Sequence, residues 1–177
     1  AGSFTTFDGV ARNYIVRLTS SGGVDGTFTN PALITVPGGA IRSVSLHGSG
    51  DVLVGGLFRG ASSSPFRHSV ARLSSTGVVD SGFNVGHGAQ AGSNTSVAGD
   101  VLSIASMPNG KVAIGGSFGG FNGSTARSKF LVLNSDGSVD TGRYPFVPNS
   151  DVRAVVAASD NSVIFGGDFF QLSTFTI

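Results

Sequence analysis

The sequence predicts an all-β fold, a β-propeller segment of three four-stranded, blade-like repeats whose ring is not closed within this chain. Three observations carry that expectation. Val54-Gly55-Gly56-Leu57-Phe58, Ile114-Gly115-Gly116-Ser117-Phe118 and Phe165-Gly166-Gly167-Asp168-Phe169 are one motif, and Gly2-Ser3-Phe4 is its tail, so that the four Phe lie 54, 60 and 51 residues apart. A second motif keeps the same beat: Val16-Arg17-Leu18 with Val24-Asp25, Ala71-Arg72-Leu73 with Val79-Asp80, and Val132-Leu133-Asn134 with Val139-Asp140. The composition is that of a β protein, rich in Val, Ile, Phe and Thr and punctuated by 28 Gly. A fixed period of this size marks units that bury their cores against their neighbours. A β-solenoid or fibre-like repeat array is the alternative architecture.

The elements follow in order. After the motif tail, Phe7-Asp8-Gly9 is a hairpin signal, because Asp-Gly tolerates the positive φ of a tight turn. The second full unit shows the pattern best. Val101 to Met107 alternates loosely as a strand, Pro108-Asn109-Gly110 supplies the turn, and Lys111-Val112-Ala113-Ile114 runs into the paired glycines. There the absent side chains suit a bulge or a close approach between sheets. Phe121-Asn122-Gly123 repeats the first hairpin signal, Lys129 to Leu133 is a third strand, and Asn134-Ser135-Asp136-Gly137 turns into a short fourth around Val139. The chain reads as one repeat domain over 1–177, with repeats at about 2–56, 56–116 and 116–167 and the start of a further repeat at 167–177. Gly55, Gly56, Gly115, Gly116, Gly166 and Gly167 are its structural markers.

Composition excludes several classes of function. Apolar residues make up 40% of the chain and mean hydropathy is +0.24, enough to fill a core. No apolar run is long enough to insert in a membrane. Charged residues are 12% and the formal net charge is +1, without a basic block to follow a phosphate backbone, so no nucleic-acid partner is expected. There is no Cys, which removes disulfides and thiolate metal sites.

The strand-Gly-Gly-x-Phe motif, the Asn/Asp-Gly turn leading to Ala11-Arg12 and Ala126-Arg127, and the Arg-Leu-x-x-x-Gly-x-Val-Asp pattern together resemble the delta-60 repeats. The resemblance covers essentially the whole chain. It is weakest where Ala61 to Phe66 replaces the Gly turn and where Val132 replaces the strand Arg. It implies a β-propeller, and a structural or binding role in bacterial surface or secreted proteins or in phage tail or fibre proteins.

Candidate chemical sites are sparse. Asn134, Asp136 and Asp140 around Gly137 approach the spacing of a calcium loop, but the equivalent positions, Ser74, Thr76, Asp80 and Thr19, Ser21, Asp25, keep only the last Asp. No metal or other cofactor is therefore expected. Asp25, Asp80 and Asp140 recur at the same intervals as Arg12, Arg67 and Arg127, which suggests a repeated Arg-Asp bridge that fixes register. The histidines, at 47, 68 and 87, occupy different repeat positions without the spacing of a metal clamp. No Gly-x-Ser-x-Gly elbow is present, and no enzymatic activity is expected.

The connections 29–40, 84–100 and 144–151 vary in length while the scaffold keeps its beat, and such loops gather on one face of a repeat array. Gln90, Asn94, Tyr144 and Phe146 are their candidate ligand-binding residues. Phe169, Phe170, Phe175 and Ile177 form an apolar segment that reads as an open edge strand, a surface that invites pairing. The expected role is a non-enzymatic structural or assembly module of an extracellular, cell-surface or virion protein. The alternative is a surface-binding, lectin-like module that takes a cell-surface glycan on the variable loops. The expected partners are further repeats of the same protein or other subunits, so the chain is not expected to be a free, stable monomer.

Overall fold

The computed structural model describes residues 1–29, 33–48, 50–60, 68–142 and 144–174. It contains strands and turns, with no helix among the described residues. Thr6–Phe7 (β1) and Val10–Ala11 (β2) form a hairpin over Asp8 and Gly9, both at positive φ, as the turn requires. Leu33–His47 (β3), Asp51–Gly60 (β4) and His68–Leu73 (β5) make an antiparallel sheet in the order β3-β4-β5. Ala89–Gln90 (β6), Val101–Ser106 (β7), Val112–Gly116 (β8), Gly120–Phe121 (β9) and Phe130–Leu133 (β10) give the next unit, with sheet order β10-β8-β7 and a separate β6-β9 pair. Phe146–Pro148 (β11), Val152–Ala157 (β12), Val163–Gly167 (β13) and Leu172–Thr174 (β14) repeat the arrangement as the pairs β12-β13 and β11-β14. Among the described residues no sheet closes on itself, and the fold is an open β-propeller segment.

The expected fourth strand is shorter than the spacing suggested. It is reduced to one bridge across a tight turn, Leu73 to Val79 and Leu133 to Val139, with Leu18 to Val24 as the equivalent near the N-terminus. Each turn places a glycine at positive φ, Gly22, Gly77 and Gly137, which leaves room for only a residue or two of pairing. Cutting the sequence at the glycine pairs also joins the outer strand of one sheet to the inner strands of the next. We therefore group the molecule by sheet, as an N-terminal segment 1–29, a first unit around β3-β4-β5, a second around β7-β8-β10 and a third around β12-β13.

The paired glycines have two separate jobs. In every unit the inner strand carries a bulge at the same place, between Ile41 and Ser43, Val101 and Ser103, and Val152 and Ala154, and the glycine pair lies opposite it. A Cβ on the second glycine, Gly56, Gly116 or Gly167, would lie 2.1 Å from the carbonyl oxygen of Ala40, Asp100 or Asp151. The second glycine therefore admits the bulge within its own sheet. The first glycine faces the next unit. A Cβ on Gly55 would lie 2.8 Å from Val101 Cγ1, and one on Gly115 would lie 2.5 Å from Val152 Cγ1.

The core accordingly sits between units rather than inside them. Ile15 and Phe28 of the N-terminal segment pack with Ile41, Val54, Ala71 and Leu73 of the first unit. Leu53 and Val70 pack with Val101, Ile104 and Ile114 of the second. Ala113, Phe130 and Val132 pack with Val152 and Val155 of the third. Serine rungs tie the inner strands together, since Ser43 Oγ accepts the Ile104 N–H at 3.2 Å and Ser103 Oγ accepts the Val155 N–H at 3.0 Å.

Two expectations about irregular segments are corrected. The connections at 29–40, 84–100 and 144–151 are not plain loops, because each contains a short strand that pairs with the segment following the glycine pair. Leu33 to Thr35 pairs with Phe58 to Gly60, β6 with β9, and β11 with β14. For the same reason the C-terminal apolar segment is not an open strand throughout, as Leu172 to Thr174 is taken up by β11. Phe169 leans on Phe165 at 5.4 Å, Phe170 is 87% exposed, and Phe175 and Ile177 lie outside the described residues.

The glycine geometry makes a direct prediction. Gly116→Ala forces a Cβ into the Asp100 carbonyl and is expected to cost about 3 kcal/mol or more in urea unfolding. Gly26→Ala, where nothing among the described residues lies within 4 Å, is expected to stay within about 0.5 kcal/mol.

Candidate functional site

Polar side chains gather in three places. The first is the outer turn of the N-terminal segment and of the first two units, where Asp and a cation face each other across the Leu-to-Val bridge. Arg17 Nε donates to Asp25 at 2.8 Å and Arg72 Nε to Asp80 at 2.7 Å. Each guanidinium also reaches the following unit, Arg17 at the Ser75 carbonyl and Arg72 at the Ser135 carbonyl. Each lies over an aromatic ring as well, Phe28 at 5.0 Å and Phe83 at 4.9 Å. A planar fork with several donors suits this triple duty. In the second unit Val132 holds the strand position, and Lys111 Nζ reaches Asp140 from the neighbouring strand at 2.7 Å.

These bridges differ from the Arg12, Arg67, Arg127 pairing that the intervals suggested. Arg12 donates to the Ala11 carbonyl, Arg67 lies outside the described residues, and the bridge at Asp140 comes from Lys111. The true partner stands inside the Arg-Leu-x-x-x-Gly-x-Val-Asp pattern, since a tight turn brings residues eight apart face to face. Asp25 is held below the ordinary carboxylate range first by the Thr27 hydroxyl and amide, then by Arg17. For Asp80 burial pushes upward, but Arg72 and the Gly82 amide outweigh it and the net shift is down.

The same network explains why the calcium-like spacing does not assemble. Asp136 Oδ1 accepts the Ser138 amide and hydroxyl, Asn134 turns its NH2 toward Ser138, and the Lys111 ammonium sits at 2.7 Å from Asp140 where a cation would compete with it. Among the described residues no group of three or more His, Asp or Glu is placed to hold a metal ion.

The second place is the connection between the first and second units. Gln90 is fully buried and its Oε1 accepts the Gly123 amide at 2.8 Å. Asn122 Oδ1 accepts the His87 and Gly88 amides, and Asn94 Oδ1 accepts the Ser96 amide in a local turn. His68, also fully buried, meets the Thr95 carbonyl through Nε2 at 2.9 Å, and Ser69 donates to the Gly99 carbonyl. Gln90, expected to greet a ligand, instead braces the connection through Oε1 while its buried Nε2 has no hydrogen-bond partner among the described residues, and Asn94 closes a turn within the connection itself. Tyr144 and Phe146 are half-buried in an aromatic cluster, Tyr144 edge-on to Phe130 at 5.8 Å and Phe146 stacked on Phe130 and Phe165 at 5.8 and 5.7 Å.

The third place was not anticipated. His47 Nδ1 lies 2.8 Å from Ser106 Oγ at the ends of two inner strands, and the Ser106 amide donates to Ser45 Oγ at 3.2 Å. The recurrence of Ser43 and Ser103 at the 60-residue interval was the available signal for these links. His47 thus stands apart on one inner-strand end, while the His68 amide donates to the His87 carbonyl at 3.1 Å beside β6.

A family model described as a domain of unknown function (DUF5122), beta-propeller, matches residues 1–28 and 108–142. Those two stretches contain equivalent elements, the Asn/Asp-Gly hairpin and the Leu-to-Val turn. No curated protein and no solved structure matches the chain.

Two predictions follow from the electrostatics. Burial lowers both His47 and His68 below 6.5, Arg72 adding to the effect at His47 and the Thr95 carbonyl opposing it at His68. The unfolded chain then binds protons that the folded one refuses, so stability is full above pH 6.5 and falls as pH drops below it. Equilibrium unfolding between pH 7.5 and 5 should show this slope, and it should flatten in His47→Gln/His68→Gln. Arg72→Ala is expected to cost about 1–3 kcal/mol because carboxylate, carbonyl and ring contacts go together, against about 1 kcal/mol or less for Lys111→Ala.

Proposed function

We propose that the chain is a non-enzymatic structural module of an extracellular, cell-surface or virion assembly, of the tail or fibre kind, whose work is to stack units into a stiff array. The observation that carries this reading is where the polar side chains are used. Arg17, Arg72, Ser43, Ser103, His47 and Gln90 all make contacts that fasten one unit or connection to the next. The longest connection is fastened in the same way, by His68 at the Thr95 carbonyl and Ser69 at the Gly99 carbonyl. With 12% charged residues and a formal net charge of +1, the chain has little self-repulsion to oppose association.

The reading is tested by recovering the native protein from its source and asking by mass spectrometry whether it fractionates with particles or the cell surface. A panel of hydrolase substrates and a glycan array are run alongside on the purified chain. The expected result is fractionation with an assembly, no turnover and no glycan signal. Turnover abolished by His47→Ala would make the protein an enzyme, and glycan binding lost on deleting 91–97 would make it an adhesion module.

A further inference from the structure

Each unit presents one face to the unit before it and one to the unit after it. In the first two units the onward face is covered. Leu53 and Ala113 are fully buried there, and Ala105 is nearly so. In the third unit the equivalent positions are Ile164, 67% exposed, and Val156, 58% exposed, paired with each other across β12 and β13. Two residues further along β13, opposite Ala154, lies Gly166. Its counterparts Gly55 and Gly115 are filled by Val101 with Ile104 and by Val152 with Val155, whereas nothing among the described residues lies within 4 Å of a Cβ built on Gly166. A glycine that its own sheet does not require, flanked by branched apolar residues in the open, is the same socket that the two preceding interfaces show occupied.

We infer that the onward face of the third unit is a docking surface for a further unit of this design, whose inner strand opens with Asp followed by β-branched residues one and four places later. The apolar part of that pattern repeats Val101 with Ile104 and Val152 with Val155, which seat on Gly55 and Gly115. The Asp is specified by charge. At the first interface Arg42 pairs with Asp100 across units at 3.1 Å, and at the second Lys129 pairs with Asp151 at 2.8 Å, and both aspartates immediately precede the inner strand. Arg153 occupies the Arg42 position of the third unit and pairs there with Asp168 of its own unit in an exposed bridge, from which it can turn to an incoming carboxylate.

The same comparison argues against a second copy of this chain as the occupant. Its first inner strand carries Ile41 and Val44 at the apolar positions, but Ile41 is already buried in the cluster with Ile15 and Phe28, and Ala40 stands in place of the Asp. A second copy would bring no carboxylate to Arg153. The inference rests on the structural-module reading, and its readout is stability, so failure here leaves the fractionation and activity assays of that reading untouched.

The test lengthens the full chain by one period, residues 1–167 followed by a second copy of 117–177, so that a second Asp151-led strand can seat on Gly166. Urea unfolding and hydrogen exchange of β13 are compared with the original chain. The lengthened protein should unfold at a higher urea midpoint with slower exchange at Ile164 to Gly166. Gly166→Val should erase that gain while leaving the original chain's midpoint unchanged. Replacing the added Asp with Ala should lose part of the gain, and should lose nothing further when Arg153→Ala and, in the added copy, Lys129→Ala are already present. An unchanged midpoint, a lengthened chain that fails to fold, or a gain indifferent to Gly166→Val would overturn the inference. So would self-association of the original chain that Gly166→Val abolishes, which would make a second copy the occupant.

Discussion

The structure depends on the absence of a side chain at two adjacent positions in each unit. The second glycine lets the carbonyl before the inner strand approach where a Cβ would overlap it, and this fixes the bulge that bends the inner strand. In the first two units the first glycine, one residue earlier and on the opposite side of the sheet, is a hole into which the next unit inserts a Val and an Ile or Val. Alternation along the strand therefore converts one dipeptide into an intramolecular device and an interfacial one. A full burial of each inserted side chain stabilises by roughly 1.5–3 kcal/mol, which is why the apolar clusters lie between units. Stability is then a property of neighbours, as in other quasi-one-dimensional repeats.

The polar network works on the same plan. Each Arg of the outer turn neutralises an Asp of its own unit and holds a carbonyl of the next, so that its loss loosens both a turn and an interface. Where Val132 takes the Arg position, it contributes instead to the cluster against the third unit, and Lys111 covers Asp140 from the adjacent strand. Charge at the turn is preserved while the cross-unit hydrogen bond is given up for apolar contact. Three residues at equivalent places, Tyr14, Ser69 and Lys129, share φ 68, a strained backbone that L residues adopt only when their surroundings hold them. Backbone hydrogen bonds from Gly2 to Tyr14 and from Gly116 to Lys129 tie that strain to the glycine motif.

Much of this fold was legible in the sequence because periodicity reports positions that obey the same steric rule. The glycine pairs, the Asn/Asp-Gly hairpins and the Leu-to-Val turns all repeat, and all fall where the motifs place them. The short entry strands were not legible. Leu33 to Thr35, Ala89 to Gln90 and Phe146 to Pro148 share no sequence pattern, since two or three backbone hydrogen bonds suffice and impose no residue type. Equal spacing also misled. Arg12, Arg67 and Arg127 keep step with the Asp series, yet the partners of Asp25 and Asp80 are eight residues away across a turn, a distance set by local geometry rather than by the period. At Gln90 and Asn94 composition indicated polar capacity, but only the fold shows that Gln90 Oε1 and Asn94 Oδ1 are taken up by the Gly123 and Ser96 amides.

The central claim is that the first glycine of each pair holds adjacent units together without serving its own sheet. Native-state hydrogen exchange of Gly115→Ala tests it most directly, because the added Cβ would lie 2.5 Å from Val152 Cγ1 and 2.7 Å from Val155 Cγ2. The account predicts lost protection across Val152 to Gly167 of the third unit, while the amides of β3, β4 and β5 keep theirs. Unchanged protection in the third unit, or an even loss across all three, would contradict it.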